Sequence, residues 1–164
     1  MTVRPTPDGY TSVTPWLINA DTAGLIEYLK EAFGAEELAR IPGADGRIDH
    51  AEVRIGDAVI MLFDSVAGWP ATPGFFRLYV PDAAATHRQA VAAGGTSVTE
   101  VTRLAFGDRV GRVADPFGNL WWIQTHEEDV APEQMQQRFT DPQAVKAMAY
   151  VQSTLQENFV PRRD

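Results

Sequence analysis

The sequence predicts an α+β fold in which two βαβββ modules form a curved mixed sheet, followed by a C-terminal helical extension. Three observations carry this expectation. The order strand–helix–strand–strand–strand occurs twice at nearly the same length, over residues 12–64 and again over 75–126. Short turn signals, Gly56-Asp57 and Asp115-Pro116-Phe117-Gly118, sit between the last two strands of each copy. After His126 the strand pattern gives way to helical spacing. One module cannot cover both faces of its short sheet, so residues 1–126 are expected as two halves of one domain, with 127–164 as the extension.

Residues 1–12, rich in Pro, Thr and Gly, read as an extended lead-in. Ser12 to Ala20 is the first strand, and Asp21 or Thr22 caps a helix whose apolar positions Leu25, Ile26, Leu29, Ala32 and Phe33 share one face up to Gly34. Glu37 to Ile41 is a strand ending in the Pro42–Gly46 turn, and Ile48 to Ile55 and Ala58 to Asp64 form a hairpin. A loop with Gly68, Pro70, Pro73 and Gly74 precedes the second copy. There Phe75 to Val80 is a strand, Asp82 caps a helix ending at Gly94-Gly95, and Ser97 to Thr102, Arg109 to Ala114 and Asn119 to Thr125 are strands. In the extension, Pro132 to Phe139 suits a short helix. Asp141-Pro142 opens a longer one with Val145, Met148, Leu155 and Phe159 on a broad face, suited to packing on the domain or on a second subunit.

Composition excludes several classes. The absence of cysteine removes thiolate metal sites, disulfides and cysteine nucleophiles, and fits a cytoplasmic protein. A net charge of −8 argues against binding nucleic acid, and no apolar run is long enough for a membrane span or signal peptide.

Several segments carry a resemblance. They are Val13-Thr14-Pro15-Trp16-Leu17-Ile18, Phe33-Gly34-Ala35-Glu36-Glu37 and His50-Ala51-Glu52-Val53-Arg54-Ile55-Gly56-Asp57 in the first copy. Gly107-Asp108-Arg109-Val110-Gly111-Arg112, Asp115-Pro116-Phe117-Gly118 and Thr125-His126-Glu127-Glu128-Asp129-Val130 follow in the second. In this order they resemble the vicinal-oxygen-chelate (glyoxalase, bleomycin-resistance and dioxygenase) superfamily, and more closely its PhnB-like, glyoxalase-related branch. The resemblance runs from about Thr11 to Phe139. It implies a small-molecule site, often in a homodimer, and a metal held by His or Glu on the first and last strands of each module. Aligning strand ends puts Thr14, Met61, Phe75 and Trp122 at those positions. None is an imidazole or carboxylate donor, so no metal or other cofactor is expected.

Strand alternation then sorts the side chains. Thr14, Trp16, Ile18, Val59, Met61, Phe63, Phe75, Arg77, Tyr79, Trp122 and Gln124 share the face that lines the cavity in the family's geometry. Leu17, Ile60, Leu62, Phe76, Leu78, Trp121 and Ile123 share the other. Across the Gly56-Asp57 hairpin Glu52 pairs with Met61 and His50 with Phe63, so His50, Glu52 and Arg54 join the first face. The ligand-binding candidates are therefore Trp16, His50, Glu52, Met61, Phe63, Phe75, Arg77, Tyr79, Trp122 and Gln124. Aromatic rings with a few polar groups suit an aromatic or amphipathic ligand. An anionic ligand would favour Arg77 and a cationic one Glu52. His87 is expected on the solvated side of its helix, and His126 on the surface beyond the last strand.

Two functions compete. One is a metal-independent binding protein, with antibiotic binding or sequestration as its role. The other is a lyase- or isomerase-type enzyme using Glu52 and His50 as acid–base groups or as atypical metal ligands. The binding protein is the favoured expectation.

Overall fold

A computed structural model of the chain describes residues 3–69 and 72–158. The expected positions of Pro70 and Phe159 lie outside the described residues. The chain divides into two compact units, residues 1–74 and 75–164, and the second contains the helical extension.

In the first unit, β1 (Trp16–Asn19), α1 (Thr22–Phe33), β2 (Glu36–Pro42), β3 (Ile48–Ile55) and β4 (Ala58–Asp64) form a four-stranded sheet of order β1-β4-β3-β2. β1 runs parallel to β4, and the other neighbours are antiparallel. β1 is shorter than the Ser12–Ala20 expectation. Pro15, which has no N–H to give a ladder, stands immediately before Trp16 and contributes only its carbonyl, which accepts from the Met61 N–H at 3.0 Å. Asp21 caps α1 by accepting from the Gly24 N–H at 2.8 Å. Gly34, in the left-handed region at φ 66°, lets the chain turn so that its own N–H and that of Ala35 reach the last helical carbonyls. The helix buries Leu25, Ile26, Leu29 and Ala32 with Leu17, Val53 and Leu62 of the sheet, and these residues are the unit's core.

The second unit repeats the plan. β5 (Phe75–Tyr79), α2 (Ala83–Ala92), β6 (Thr96–Arg103), β7 (Asp108–Ala114) and β8 (Leu120–His126) give the order β5-β8-β7-β6, with β5 parallel to β8. Asp82 caps α2 through the Ala85 N–H at 2.9 Å. Two helices follow, α3 (Pro132–Arg138) and α4 (Pro142–Asn158). Gly107, at φ 93°, fixes the path into this extension. Its carbonyl accepts from the N–H groups of Glu127 and Glu128, and a Cβ there would fall 2.2 Å from the Glu128 carbonyl oxygen. Among the described residues, no helix is long and apolar enough to cross a membrane.

One histidine departs from expectation and the other is on the surface as expected. His87 is buried rather than solvated: it packs beneath the sheet where Gly111 leaves room for its ring, 3.0 Å from where a Cβ would stand, and bonds Ser97 Oγ at 3.1 Å. His126 is the last residue of β8 rather than a residue beyond it. It is half-exposed and bridges Asp108 at 2.7 Å and Asp129 at 3.0 Å.

Carboxylates join the elements, half-buried at Asp64 and buried at Asp115. Asp64, at the end of β4, accepts from the N–H groups of Thr22 and Ile48, tying helix start and β3 to one strand end. Burial opposes ionisation of Asp64, but these bonds outweigh it and hold its carboxyl below the usual range. In the second unit Thr125 does the corresponding work, accepting from the Ala83 N–H at 2.7 Å. Asp115 accepts from the N–H groups of Phe117 and Asn119, the Asn119 amide and the Trp121 indole, all at 2.8–2.9 Å. Replacing Asp115 by Ala would strand these donors in the interior. The expected loss is roughly 3 kcal/mol of unfolding free energy in a urea titration, because each orphaned buried donor costs on the order of 1–3 kcal/mol and some regain water.

The His126 bridge makes a second expectation. Hydrogen bonds to Asp108 and then Asp129 raise the histidine above its ordinary value of 6.5. A raised folded-state value stabilises fully below the ordinary value and is lost as pH rises through the raised one. The urea midpoint should therefore fall as pH climbs above 6.5, and His126→Gln should flatten that fall. An unchanged slope in the variant would assign the fall to other groups.

Candidate ligand-binding faces

Each sheet has one face against its helix and one turned away from it. The first is apolar in both units, with Leu17, Ile60, Leu62, Trp121 and Ile123 buried and Phe76 and Leu78 half-buried. The second carries the candidate residues. Trp16, His50, Glu52, Met61 and Phe63 belong to the first unit, and Phe75, Arg77, Tyr79, Trp122 and Gln124 to the second.

In the first unit, strand register sets Trp16, Met61 and Glu52 in one row across β1, β4 and β3. The next row holds Ile18 and Phe63, and the same register continued by one residue puts His50 beside Phe63. The Trp16 ring meets His50 at 5.6 Å and Phe63 at 5.4 Å between centroids, both edge-on, and Phe63 meets Trp69 at 5.7 Å. Trp16 and Trp69 keep 47% and 54% of their surface exposed, so the cluster is an open aromatic face rather than a sealed core.

At its base sits Glu52. The Tyr10 hydroxyl donates to its Oε2, and His50 Nε2 lies 2.9 Å from its Oε1. These bonds, with Tyr10 the larger influence, hold the Glu52 carboxyl below the usual glutamate range and push the Tyr10 phenol up. Tyr10 arrives on the lead-in, which is not extended as expected but turns at Asp8-Gly9, closed by the Tyr10 N–H on the Pro7 carbonyl at 3.2 Å. With Pro5, Pro7, Thr11 and Thr14 it borders a groove of about 490 Å³ floored by Met61. Tyr10 and Trp69 were not legible as site residues because both lie outside the repeat.

In the second unit the equivalent row is Arg77, Trp122 and Arg112, across β5, β8 and β7. The Arg112 guanidinium lies 3.9 Å over the Trp122 ring centroid and that of Arg77 lies 5.1 Å from it. Phe75 and Tyr79 are exposed on the same face, with Phe75 6.2 Å from Trp122. Gln124 is buried, and its amide donates to Asp108. α4 lies across the Arg112 end of this row. Val151 packs with Leu104 and Val110, bordered by Phe106, Trp122, Ala147 and Met148, and Thr154 bonds Thr99 at 2.8 Å. The same alternation that selects Trp122 places Arg112 opposite it, so Arg112 could have been found from sequence.

The donor chemistry does not fit a divalent metal. Thr14, Met61, Phe75 and Trp122 supply at most one hydroxyl, and Glu52 and His50 are engaged with each other and with Tyr10. Among the described residues, no three His, Asp or Glu side chains are grouped to hold an ion.

Comparison with known proteins agrees with this architecture. Residues 10–123 match the Glyoxalase/Bleomycin resistance protein/Dioxygenase superfamily. The uncharacterized protein Mb0911c of Mycobacterium bovis is 35% identical over 136 residues, 76% of this chain and 90% of its own. The Arabidopsis thaliana gene product At5g48480 is similar in structure, with TM-score 0.57 and 26% identity, over 69% of this chain and 97% of that one. TioX from Micromonospora sp. ML1, at 24% identity and TM-score 0.57, covers 70% of this chain and 99% of its own, and shares the fold. With two βαβββ units and a family match over most of its length, the chain belongs to the glyoxalase, bleomycin-resistance and dioxygenase superfamily.

Proposed function

We propose that this protein is a metal-independent small-molecule-binding member of the superfamily, of its PhnB-like branch, and that its ligand is an aromatic amphiphile such as an aromatic antibiotic held by sequestration. The observation that carries the reading is the open Trp16–Phe63–Trp69 face built around Glu52. Stacking rings beside one fixed carboxylate suit a flat ligand with a cationic or hydrogen-bond-donating end. The homodimer implied by the family resemblance is part of this reading.

The state of Glu52 favours an anchor over a general base. A base works best when its pKa is near the working pH, whereas Tyr10 and His50 move Glu52 away from neutrality. Such a carboxylate stays charged and attracts a cation, but it removes a proton poorly. The acid–base alternative, with Glu52 and His50 as the reacting pair, rests on their 2.9 Å contact and requires the opposite shift.

Benzylammonium is a suitable probe, with benzyl alcohol as its neutral control. Calorimetry on the full chain should show benzylammonium binding weakened about tenfold or more by Glu52→Gln, a loss of roughly 1.4 kcal/mol, with benzyl alcohol little changed. Equal affinity in parent and variant would remove Glu52 as the anchor. In Tyr10→Phe, which deletes the stronger of the two bonds, the Glu52 carboxyl should titrate at higher pH by NMR. Its contribution to stability, present above the ordinary glutamate value and lost as pH falls through the lowered one, should shrink accordingly. An unmoved titration would mean that Tyr10 does not set the charge.

A further inference from the structure

The second unit carries a row of unlike chemistry at the same strand positions. Arg112 is 2% exposed, and its bonding partners are neutral: Thr99 Oγ1 at 3.0 Å and the Val151 carbonyl in the middle of α4. Among the described residues no carboxylate lies within ion-pair distance of it, or of Arg77 on the open side of the same indole. A buried cation without a counter-ion is costly, and burial lowers its pKa here with nothing opposing.

The neighbouring polar atoms are also left over. Among the described residues, Arg112 Nε and Trp122 Nε1 are buried donors without a partner, on residues paired across β7 and β8, and Gln124 Oε1, two residues along β8, is an acceptor without one. α4 covers this ground but gives Arg112 only the Val151 carbonyl, and no charge. Of its seventeen residues only Val151 and Thr154 are buried. Helical side chains that answered a guanidinium would be Asp or Glu, and the face of α4 over Arg112 offers Val151 and Thr154 instead.

We propose that the Arg77–Trp122–Arg112 row is a binding site for an aromatic carboxylate, and that α4 is a displaceable roof over its Arg112 half. It extends the reading above, that ligands are received on the sheet faces turned away from α1 and α2, to a ligand of opposite charge. The carboxylate takes the orphaned indole and guanidinium N–H groups, a guanidinium being suited to the planar pair of carboxylate oxygens. The ring lies against exposed Phe75 and Tyr79. Entry begins at exposed Arg77, and the Arg112 end opens when the Val151 contact and the Thr154–Thr99 bond release.

The test follows the Trp122 indole N–H of the full chain by NMR during titration with benzoate, acetate, inorganic phosphate and benzylammonium. Benzoate is expected to shift it saturably, with acetate and phosphate at least about tenfold weaker and benzylammonium without effect. Arg77→Gln, an exposed position that leaves the buried network intact, should weaken benzoate about tenfold, and Val151→Ala, which loosens the roof, should tighten it. Amide exchange across residues 142–158 should quicken when benzoate binds. A Trp122 resonance that ignores benzoate, an Arg77→Gln variant that binds it as well as the parent, or equal response to phosphate would overturn the site. Weaker benzoate binding in Val151→Ala, or unchanged exchange in α4, would overturn the roof. Glu52→Gln should leave benzoate untouched. Benzoate bound without a Glu52-dependent benzylammonium site defeats only the earlier reading, and the converse result defeats only this one.

Discussion

Side chains of a strand alternate between faces, and each unit of this protein has one helix of its own repeat to cover one face. That constraint organises the molecule. Leu17, Leu62, Trp121 and Ile123 are apolar and buried because α1 and α2 lie on their side. The residues between them, Trp16, Met61, Arg77 and Trp122 among others, face away from any helix of the repeat. What meets them comes from outside it: the lead-in with Tyr10 over Met61 and Glu52, and α4 over Arg112 and Trp122. Neither partner is required by the βαβββ plan, so the chain's individuality is concentrated where those two segments land.

The two units keep the plan while changing the residues that enforce it. In both, the start of the helix is tied to the end of the last strand. Asp64 does it with a carboxylate that also collects the β3 backbone, while Thr125 does it with a hydroxyl that donates onward to the Val80 carbonyl. What the fold needs there is an acceptor of the right reach, not a given residue type. The same tolerance explains how the second unit can add Asp115, whose carboxylate organises the β7–β8 turn, where the first unit makes do with Gly56-Asp57.

This tolerance also explains what could be read in advance. The hairpin register Glu52–Met61 follows from a short turn between two runs of strand residues, and it is the register observed. Helix limits at Asp21 and Gly34 follow from cap chemistry, which is local. His87 was not legible, because the space that accepts its ring is made by the missing Cβ of Gly111 on another element. Tyr10, Trp69 and the course of α4 were not legible for the same reason. A segment outside the repeat has no periodic partner in the sequence, and its docking depends on a face that exists only once the sheet has formed. Gln124 shows the limit of alternation itself: it lies on the expected face, but Asp108 holds its amide and burial removes it from ready contact.

The corresponding rows sharpen the functional question. Met61 and Trp122 hold the same position on the last strand of their units, and the strands beside them contribute Trp16 and Glu52 in one case and Arg77 and Arg112 in the other. The two rows therefore carry opposite charge, around a thioether in the first unit and an indole in the second. Packing alone gives no reason for this. A buried guanidinium facing a helix without an acid is worse for stability than a methionine of similar reach would be. Glu52, by contrast, has a polar partner on each oxygen, Tyr10 on one and His50 on the other. Arg112, with its Nε and the neighbouring indole N–H unsatisfied among the described residues, is the residue whose place the fold does not explain, and a carboxylate-bearing ligand supplies the missing half of its chemistry.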